Sequence, residues 1–282
     1  MWLDTLNEKI QKNPLFILVI LISTTLTFLA TIIGNITAIE SFVQKNRVLS
    51  LIFIIGTILI LLVIFGSTAY FNKREILRKV EWLKPGANIG VYLGKFGDPM
   101  VINHYEDKNI KEYVFIHNYF YLVLITDMND EVRCFAITIK NKAFKPTFKS
   151  PGYPTSRPSY KIKLGVSTFS EIPGDPEHIS SYLMAHYGHS YYETFYFGRP
   201  GYYLHYAFGI NDTGYEPKDL PRWRSVFSTR YDTDSIPEEL EVFRSTATFN
   251  TYAVSNDSMS FRDIFPGSLG ASYEQVRRLE DK

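Results

Sequence analysis

Two long stretches near the start of the chain contain no charged residue. The first extends from Leu15 to Ile36 and the second from Val48 to Asn72. Each is long enough to cross the hydrocarbon core of a bilayer as a helix, which takes about 17–25 residues. A short polar link, residues 37–47, separates them. So short a link makes the two helices antiparallel, and the pattern therefore predicts a transmembrane hairpin with both chain termini on one side.

The basic residues predict which side that is. Seven basic residues flank the outer ends of the hairpin: Lys9, Lys12, Lys73, Arg74, Arg78, Lys79 and Lys84. Two lie in the link, Lys45 and Arg47. Because basic flanks stay in the cytoplasm, residues 1–14 and everything after residue 72 are predicted to be cytoplasmic, with two spans in the inner membrane. A cleaved signal peptide is the alternative, but the first stretch is long for one and lacks a small-x-small cleavage site.

One face of the first predicted span carries small and polar residues. Ser23, Thr27 and Thr31 are spaced four apart and Gly34 follows three further on, so the four residues share one helix face. This stripe is predicted to pack against another copy of the chain, or to line a pore after assembly. The alternative is that each hydroxyl bonds a carbonyl of its own helix and has no further role.

A basic segment, residues 73–86, follows the second span. Its apolar residues fall on one helix face, and Pro85-Gly86 is predicted to end the helix. Its basic side chains are predicted to contact anionic lipid headgroups, namely Lys73, Arg74, Arg78 and Lys79. A lever that passes a signal to the membrane is the alternative.

After residue 86 the pattern changes to that of strands. Tyr113–Asp127 is dense in aromatic and β-branched residues, residues 128–130 have turn chemistry, and Glu131–Ile139 follows as the partner strand of an antiparallel hairpin. Residues 141–158, with four prolines, are predicted to form a long connection. Near the C-terminus, Phe249–Val254 is predicted to be the last strand, and Ser272 with Gln275 three residues later predicts a capped short helix.

A weak internal repeat runs through this part of the chain. Leu-Gly, Phe and Asp-Pro precede a strand in each copy, at positions 93–94, 96 and 98–99 and again at 164–165, 169 and 175–176. The predicted fold class is therefore an N-terminal transmembrane α-hairpin plus a soluble α+β domain, residues 87–282, dominated by antiparallel β-sheet. Duplication of an αββ unit would divide that domain into halves at 87–150 and 159–282.

The first copy, with its Gly-Asp-Pro turn at residues 97–99 and its hairpin at 127–132, resembles the small αββ modules of bacterial envelope lipoproteins in the outer-membrane assembly family. The whole architecture resembles a second group, the two-transmembrane-helix membrane effectors of bacterial anti-phage (abortive-infection) systems. That resemblance rests on the two uncharged spans, the basic flank and the strand-rich remainder. It implies a cytoplasmic domain that senses a nucleotide ligand or a regulatory protein, and spans that form a homo-oligomer and disrupt the lipid bilayer. The alternative is a passive membrane-tethered binding or scaffold domain without pore activity.

The sequence predicts neither an enzyme nor a cofactor. It contains no P-loop, no GxGxxG and no G-x-S-x-G motif, and its net charge of +1 gives no general case for nucleic-acid binding. The single cysteine, Cys134, is predicted to be a buried small hydrophobe. His186, His189 and Glu193 have the residue types of metal ligands, but neighbouring aromatics and Gly188 favour a strand, in which the two histidines would point to opposite faces. No metal site is therefore predicted.

Tyrosines are concentrated between residues 182 and 206. Tyrosine combines a flat apolar body with a polar tip, which suits protein contacts and base stacking alike. The candidate ligand or partner surface consists of Tyr191, Tyr192, Tyr196, Arg199 and Tyr202. The alternative is that these rings mostly fill the core and faces of the sheet.

Overall fold

The computed structural model describes residues 55–58, 61, 71–150, 160–184, 188–198, 201, 203–215, 226, 237–256, 261–265, 268–272 and 274–276. The chain divides into two compact units, Met1–Ile76 and Leu77–Lys282. Most of the predicted hairpin and the polar stripe Ser23, Thr27, Thr31 and Gly34 lie outside the described residues. Among the residues that are described, no helix has both the length and the apolar character required to cross a membrane.

The second unit contains one large sheet of eight strands, and every neighbouring pair is antiparallel. The prediction of a domain dominated by antiparallel sheet, with some helices, is confirmed. In order across the sheet the strands are β1 (Val101–Tyr105), β2 (Ile110–Ile116), β3 (Phe120–Asp127), β4 (Val132–Ile139), β10 (Thr251–Ser255), β9 (Leu204–Asn211), β8 (Gly188–Phe197) and β7 (His178–Met184).

The remaining elements lie beside this sheet. A separate two-stranded hairpin pairs β5 (Thr147–Ser150) with β6 (Tyr160–Lys163). The helices are α1 (Ile89–Phe96), α2 (Glu238–Thr246) and α3 (Phe261–Ile264), and residues 71–81 are helical as well. Short 3-10 turns occupy Glu106–Lys108 and Phe169–Glu171. The predicted connection 141–158 therefore contains a strand, β5, whose Phe148 ring stacks on Tyr252 at 4.2 Å between centroids.

The β3–β4 hairpin is the strongest local prediction, and it is confirmed. One carboxylate oxygen of Asp127 accepts hydrogen bonds from the backbone N–H groups of Asn129 and Glu131, at 2.9 and 3.0 Å. Asp130 takes the left-handed conformation that such a turn requires, with φ of 62°. The Asp127 carboxylate thus takes the place of a backbone carbonyl as the acceptor of these N–H groups, and so stabilises the turn.

The first arm of that predicted hairpin is in fact two strands. The run Tyr113–Asp127 turns at residues 117–119, where the N–H of His117 donates to the carbonyl of Phe120 at 2.9 Å and β2 then pairs with β3. The His117 and Phe120 rings also stack, with centroids 4.8 Å apart. Both strands beside this turn are buried and rich in aromatic and β-branched residues, so the sequence pattern does not change at the turn.

Each face of the sheet has its own cover. One face is covered by α3 and the residues after it, which we name the C-terminal cover, residues 261–276. Across β3, β4, β10 and β9 this face presents a register row of one valine and three alanines, Val123, Ala136, Ala253 and Ala207. Small side chains in register leave a shallow channel, which Phe261, Phe265 and Leu269 help to fill.

The opposite face is packed by rings. Phe169, Tyr191, Phe243 and Phe249 form a cluster with centroid separations of 4.9 to 5.8 Å. The cluster joins the 3-10 turn Phe169–Glu171 and helix α2 to strand β8. Much of the aromatic density in the sequence is therefore used in the core.

Candidate functional site

The tyrosines predicted to form a ligand surface do not lie on one surface. Tyr191 and Tyr192 are adjacent in β8, so their side chains point to opposite faces, and both are buried, at 0 % and 4 % exposure. Tyr196 is 41 % exposed and stacks on Tyr203 and His205, with centroids 5.0 and 4.6 Å away. Arg199 and Tyr202 lie outside the described residues. Within the described part of this set, Tyr196 alone keeps an exposed ring.

Glu193, one of the three candidate metal ligands, accepts hydrogen bonds from Arg244 and Tyr191. The Nε and Nη2 atoms of Arg244 donate to its two carboxylate oxygens at 2.7 and 3.2 Å, and the Tyr191 hydroxyl donates at 2.6 Å. Burial raises the pKa of the Glu193 carboxyl, and the charge of Arg244 opposes that rise. This buried ion pair fastens α2 to the sheet and is a structural feature. His186 and the side chain of His189 lie outside the described part of the chain.

The four residues predicted to contact lipid headgroups lie within the helical segment 71–81. Arg74 and Arg78 are exposed, whereas Lys73 and Lys79 are half-buried. The helix ends close to the predicted stop, with Val80 and Leu83 buried. Contact with lipid remains a prediction.

The most distinctive polar site lies elsewhere, between the C-terminal cover and strands β1 and β2. It is an open cavity of about 130 Å³, which we name the Glu112 pocket. Its apolar walls are Ile110, Ile264 and Phe265. Its polar lining consists of Tyr105, Lys108, Glu112, Ser268, Ser272 and Gln275, with Gly270 beside them.

A nearly buried carboxylate lines this pocket. Glu112 is 5 % exposed, and its Oε2 atom accepts three hydrogen bonds, from Asn103 Nδ2 at 2.7 Å, Tyr105 OH at 3.2 Å and Gln275 Nε2 at 2.7 Å. All three donors are neutral. A buried charge is tolerated when hydrogen bonds replace its water shell, so these three donors allow Glu112 to be buried.

The sheet and the cover each position part of this arrangement. Asn103 faces Glu112 directly in the β1–β2 register, and Tyr105 is the diagonal neighbour on the same face. Gln275 is fixed by the predicted capping box, which is confirmed. The Ser272 N–H donates to Gln275 Oε1 at 2.9 Å and the Gln275 N–H donates to Ser272 Oγ at 3.3 Å. Because Oε1 is used by the cap, Nε2 points to Glu112.

Two further residues control the charge at the pocket. Burial and the neighbouring Glu112 charge raise the pKa of Tyr105 to about 12, so the phenol keeps its proton and remains a donor. Lys108 directs its Nζ to the backbone carbonyl of Asp263, 2.7 Å away, and so joins the 3-10 turn after β1 to the cover. The pocket therefore offers a carboxylate acceptor between an aromatic wall and hydroxyl groups.

Sequence reasoning did not identify this pocket. Glu112 stands in the alternating run IKEYVFI, where a charged residue is ordinarily a solvent-facing one. Its partners come from β1 and from a turn at the other end of the chain. One clue was available, since the capping box places an amide at residue 275, but no sequence pattern shows what that amide contacts.

Comparison with known proteins adds little. No family model matches the chain, and no curated protein matches it. Among solved structures, a cysteine-rich secretory protein from Staphylococcus aureus subsp. aureus Mu50 is similar over 66 % of this chain, at 14 % identity and a TM-score of 0.29. The chain spans about half (48 %) of that protein's length.

Proposed function

We propose that this protein is a membrane-anchored effector. Its cytoplasmic domain senses a ligand or a partner, and its transmembrane hairpins form a homo-oligomer that disrupts the inner membrane, in anti-phage defence. The observation that carries the proposal is the pair of uncharged stretches at 15–36 and 48–72, set between basic flanks. A chain segment of that composition is stable in hydrocarbon only as a spanning helix.

The described residues within the second stretch support this proposal. Ile55, Ile58 and Leu61 are helical and between 44 % and 51 % exposed, and Phe71 is 63 % exposed. Large apolar side chains exposed in this way favour a lipid or protein environment over water. The basic residues begin directly after them, at Lys73, as they do where a span leaves the bilayer.

The end of the helical segment 71–81 has the chemistry of a membrane interface. Trp82 is 38 % exposed, and the ammonium groups of Lys95 and Lys84 lie 3.3 and 5.6 Å from the centre of its ring. Tryptophan and lysine together are common at the headgroup level, where one end of the ring is apolar and the other is wet. This supports a domain held close to the headgroups.

We also propose that the domain arose by duplication of one helix-and-strands unit. Strands β1–β4 and β7–β10 each form a four-stranded antiparallel meander, and the two meanders meet where β4 pairs with β10. A short helical element and an Asp-Pro pair precede each meander, with α1 before Asp98-Pro99 and Phe169–Glu171 before Asp175-Pro176. Helix α2 lies between β9 and β10 and has no counterpart in the tight turn between β3 and β4.

Membrane anchoring is tested by fractionating cells that express the full chain with a reporter after Lys282. The proposal expects the protein in the membrane fraction, resistant to alkaline carbonate and released by detergent, with the reporter active in the cytoplasm. A protein that stays in the supernatant without detergent, or a reporter found outside the inner membrane, would overturn it. A version with Asp at residues 20 and 60 is the matched control, because a charge at mid-span opposes insertion.

A further inference from the structure

The Glu112 pocket has the geometry of a recognition site for a positively charged group. Three donors converge on Oε2 of Glu112, and no described residue donates a hydrogen bond to Oε1. A carboxylate offers about four acceptor sites over its two oxygens. The acceptor capacity of Oε1 thus remains available inside a pocket whose other polar groups already have defined positions.

The size of the pocket limits the ligand. A volume of about 130 Å³ is close to that of a cavity that holds one benzene molecule. A group of roughly six non-hydrogen atoms therefore fits. Larger ligands would place only one end inside, and the pocket is open on one side to admit such an end.

The lining selects the charge of that group. Two charged side chains line the pocket, Glu112 and Lys108, and the Lys108 ammonium is directed to the backbone carbonyl of Asp263, 2.7 Å away. Glu112 is therefore the charged group that a ligand would meet. Aromatic and apolar walls around a single carboxylate suit an organic cation, whose N–H groups meet the carboxylate and whose carbon atoms meet the walls. The Ser268 and Ser272 hydroxyls offer additional acceptors for N–H groups.

We propose that the Glu112 pocket binds a small organic cation, a soluble ligand that carries a primary ammonium or guanidinium group. Glu112 accepts the N–H donors of that group at Oε1, and Phe265 packs against its carbon atoms. The identification of this ligand as the signal of the effector rests on the proposed function, whereas binding itself is measured on the purified protein and does not depend on membrane disruption.

Occupancy is also expected to affect the C-terminal cover. Gln275 and the ligand share one carboxylate, and the Val276 N–H donates to the Ser272 carbonyl at 3.1 Å in the turn that carries Gln275. Residues of the C-terminal cover and of strands β1 and β2 line the same pocket, so a bound ligand contacts both and holds the cover against the sheet. Amides of residues 274–276 should then exchange with solvent more slowly when the ligand is bound.

The test is calorimetric titration of the full chain in detergent with butylammonium chloride and, as a neutral probe of equal size, butan-1-ol. Saturable binding of butylammonium, with none of butanol, is expected. Glu112→Gln keeps the shape and should weaken butylammonium binding by about tenfold or more, because a hydrogen bond to a charged group is lost. Glu171→Gln, at an exposed position, is the matched control and should leave the affinity unchanged.

Equal binding of the two probes, no binding of butylammonium, or unchanged affinity in Glu112→Gln would overturn the proposal. The comparison of two probes on the natural protein keeps the test decisive even if Glu112→Gln does not fold. If butylammonium does not bind but the protein still disrupts membranes, the ligand site is refuted and the effector role stands. If butylammonium binds but the protein does not enter membranes, the effector role is refuted and the ligand site stands.

Discussion

Gln275 and Glu112 lie 163 residues apart in the chain and 2.7 Å apart in the fold, Nε2 of the amide donating to Oε2 of the carboxylate. The contact joins the last described turn of the chain to the second strand of the sheet. Its amide is oriented by the capping box with Ser272. The Gln275 side chain thus links the C-terminal cover to strand β2.

Substitution of Gln275 by alanine should destabilise the protein by about 1–3 kcal/mol, because both the cap and a hydrogen bond to a buried carboxylate are lost. Urea unfolding followed by tryptophan fluorescence measures this. Gln275→Glu is the informative companion, since it retains the capping geometry but sets a second carboxylate beside Glu112. Its destabilisation at neutral pH should exceed that of Gln275→Ala, because two carboxylates would then lie within hydrogen-bond distance of each other. A smaller loss than that of Gln275→Ala would contradict the contact.

The buried ion pair between Arg244 and Glu193 gives a second prediction. Arg244→Met should cost about 3–5 kcal/mol at neutral pH, because it leaves a buried carboxylate without its cation. Arg244→Met with Glu193→Gln should recover part of that loss, since the uncompensated charge is gone. The free energy of unfolding of both variants and the natural protein measures the coupling.

The pH dependence of that loss has a definite sign. Burial already raises the pKa of Glu193 in the folded protein, and removal of Arg244 leaves this effect unopposed. A carboxyl whose folded pKa is raised destabilises the fold above that pKa and has no such effect below its unfolded value. The penalty of Arg244→Met should therefore be largest at neutral pH and decrease as the pH falls towards 4.5, the ordinary value for glutamate. A penalty that grows in acid would refute this account of the pair.

Two glycines provide a matched pair of alanine substitutions. A methyl group on Gly209 would lie 2.8 Å from Tyr192 Cβ and 2.9 Å from the Tyr191 carbonyl oxygen. Backbone and Cβ atoms in a sheet cannot move aside easily, so Gly209→Ala should cost about 1–3 kcal/mol or more. Gly94 lies in α1 with no atom within 4 Å of the added carbon. Gly94→Ala should stabilise the protein by about 0.5–1 kcal/mol through its helix propensity. Thermal unfolding compares the two, and a similar melting temperature for both would contradict the packing of β8 against β9.

The elements that the sequence predicted best are those fixed by local chemistry. The Asp127 turn and the Ser272–Gln275 cap both depend on residues within four positions of one another. The turn at His117 was missed because its neighbours on both sides are equally apolar. Strand β5 was missed because prolines surround it.

The Glu112 pocket was beyond prediction for a different reason. Its carboxylate is satisfied by Asn103 and Tyr105 across a strand pair and by Gln275 from the far end of the chain. Asn103 and Tyr105 meet Glu112 within the β1–β2 hairpin, whereas Gln275 reaches it because the C-terminal cover packs against the sheet, a contact that no local pattern shows. The tyrosine-rich segment was predicted to form a surface from its composition. In the fold, neighbouring tyrosines of β8 point to opposite faces of the sheet, and both are buried.

The polar stripe of the first predicted span yields a prediction about assembly. Thr27→Leu with Thr31→Leu keeps the span apolar but removes the hydroxyls expected to pack between copies or line a pore. Growth arrest on expression should be lost while the protein remains in the membrane fraction. Thr57→Leu with Thr68→Leu in the second span is the control and should remain toxic. Toxicity that persists in the first variant would refute a role for the stripe.

Entry of a membrane-impermeant dye into cells expressing the full chain tests the effector role most directly. Cells are compared with others in which residues 15–72 are replaced by an unrelated two-helix hairpin of equal length, with the domain and the basic segment unchanged. The account predicts dye entry with the natural hairpin and none with the replacement, at equal amounts of membrane-bound protein. Dye exclusion in both, or entry in both, would contradict it, and retained function with the replaced hairpin would identify the spans as a passive tether.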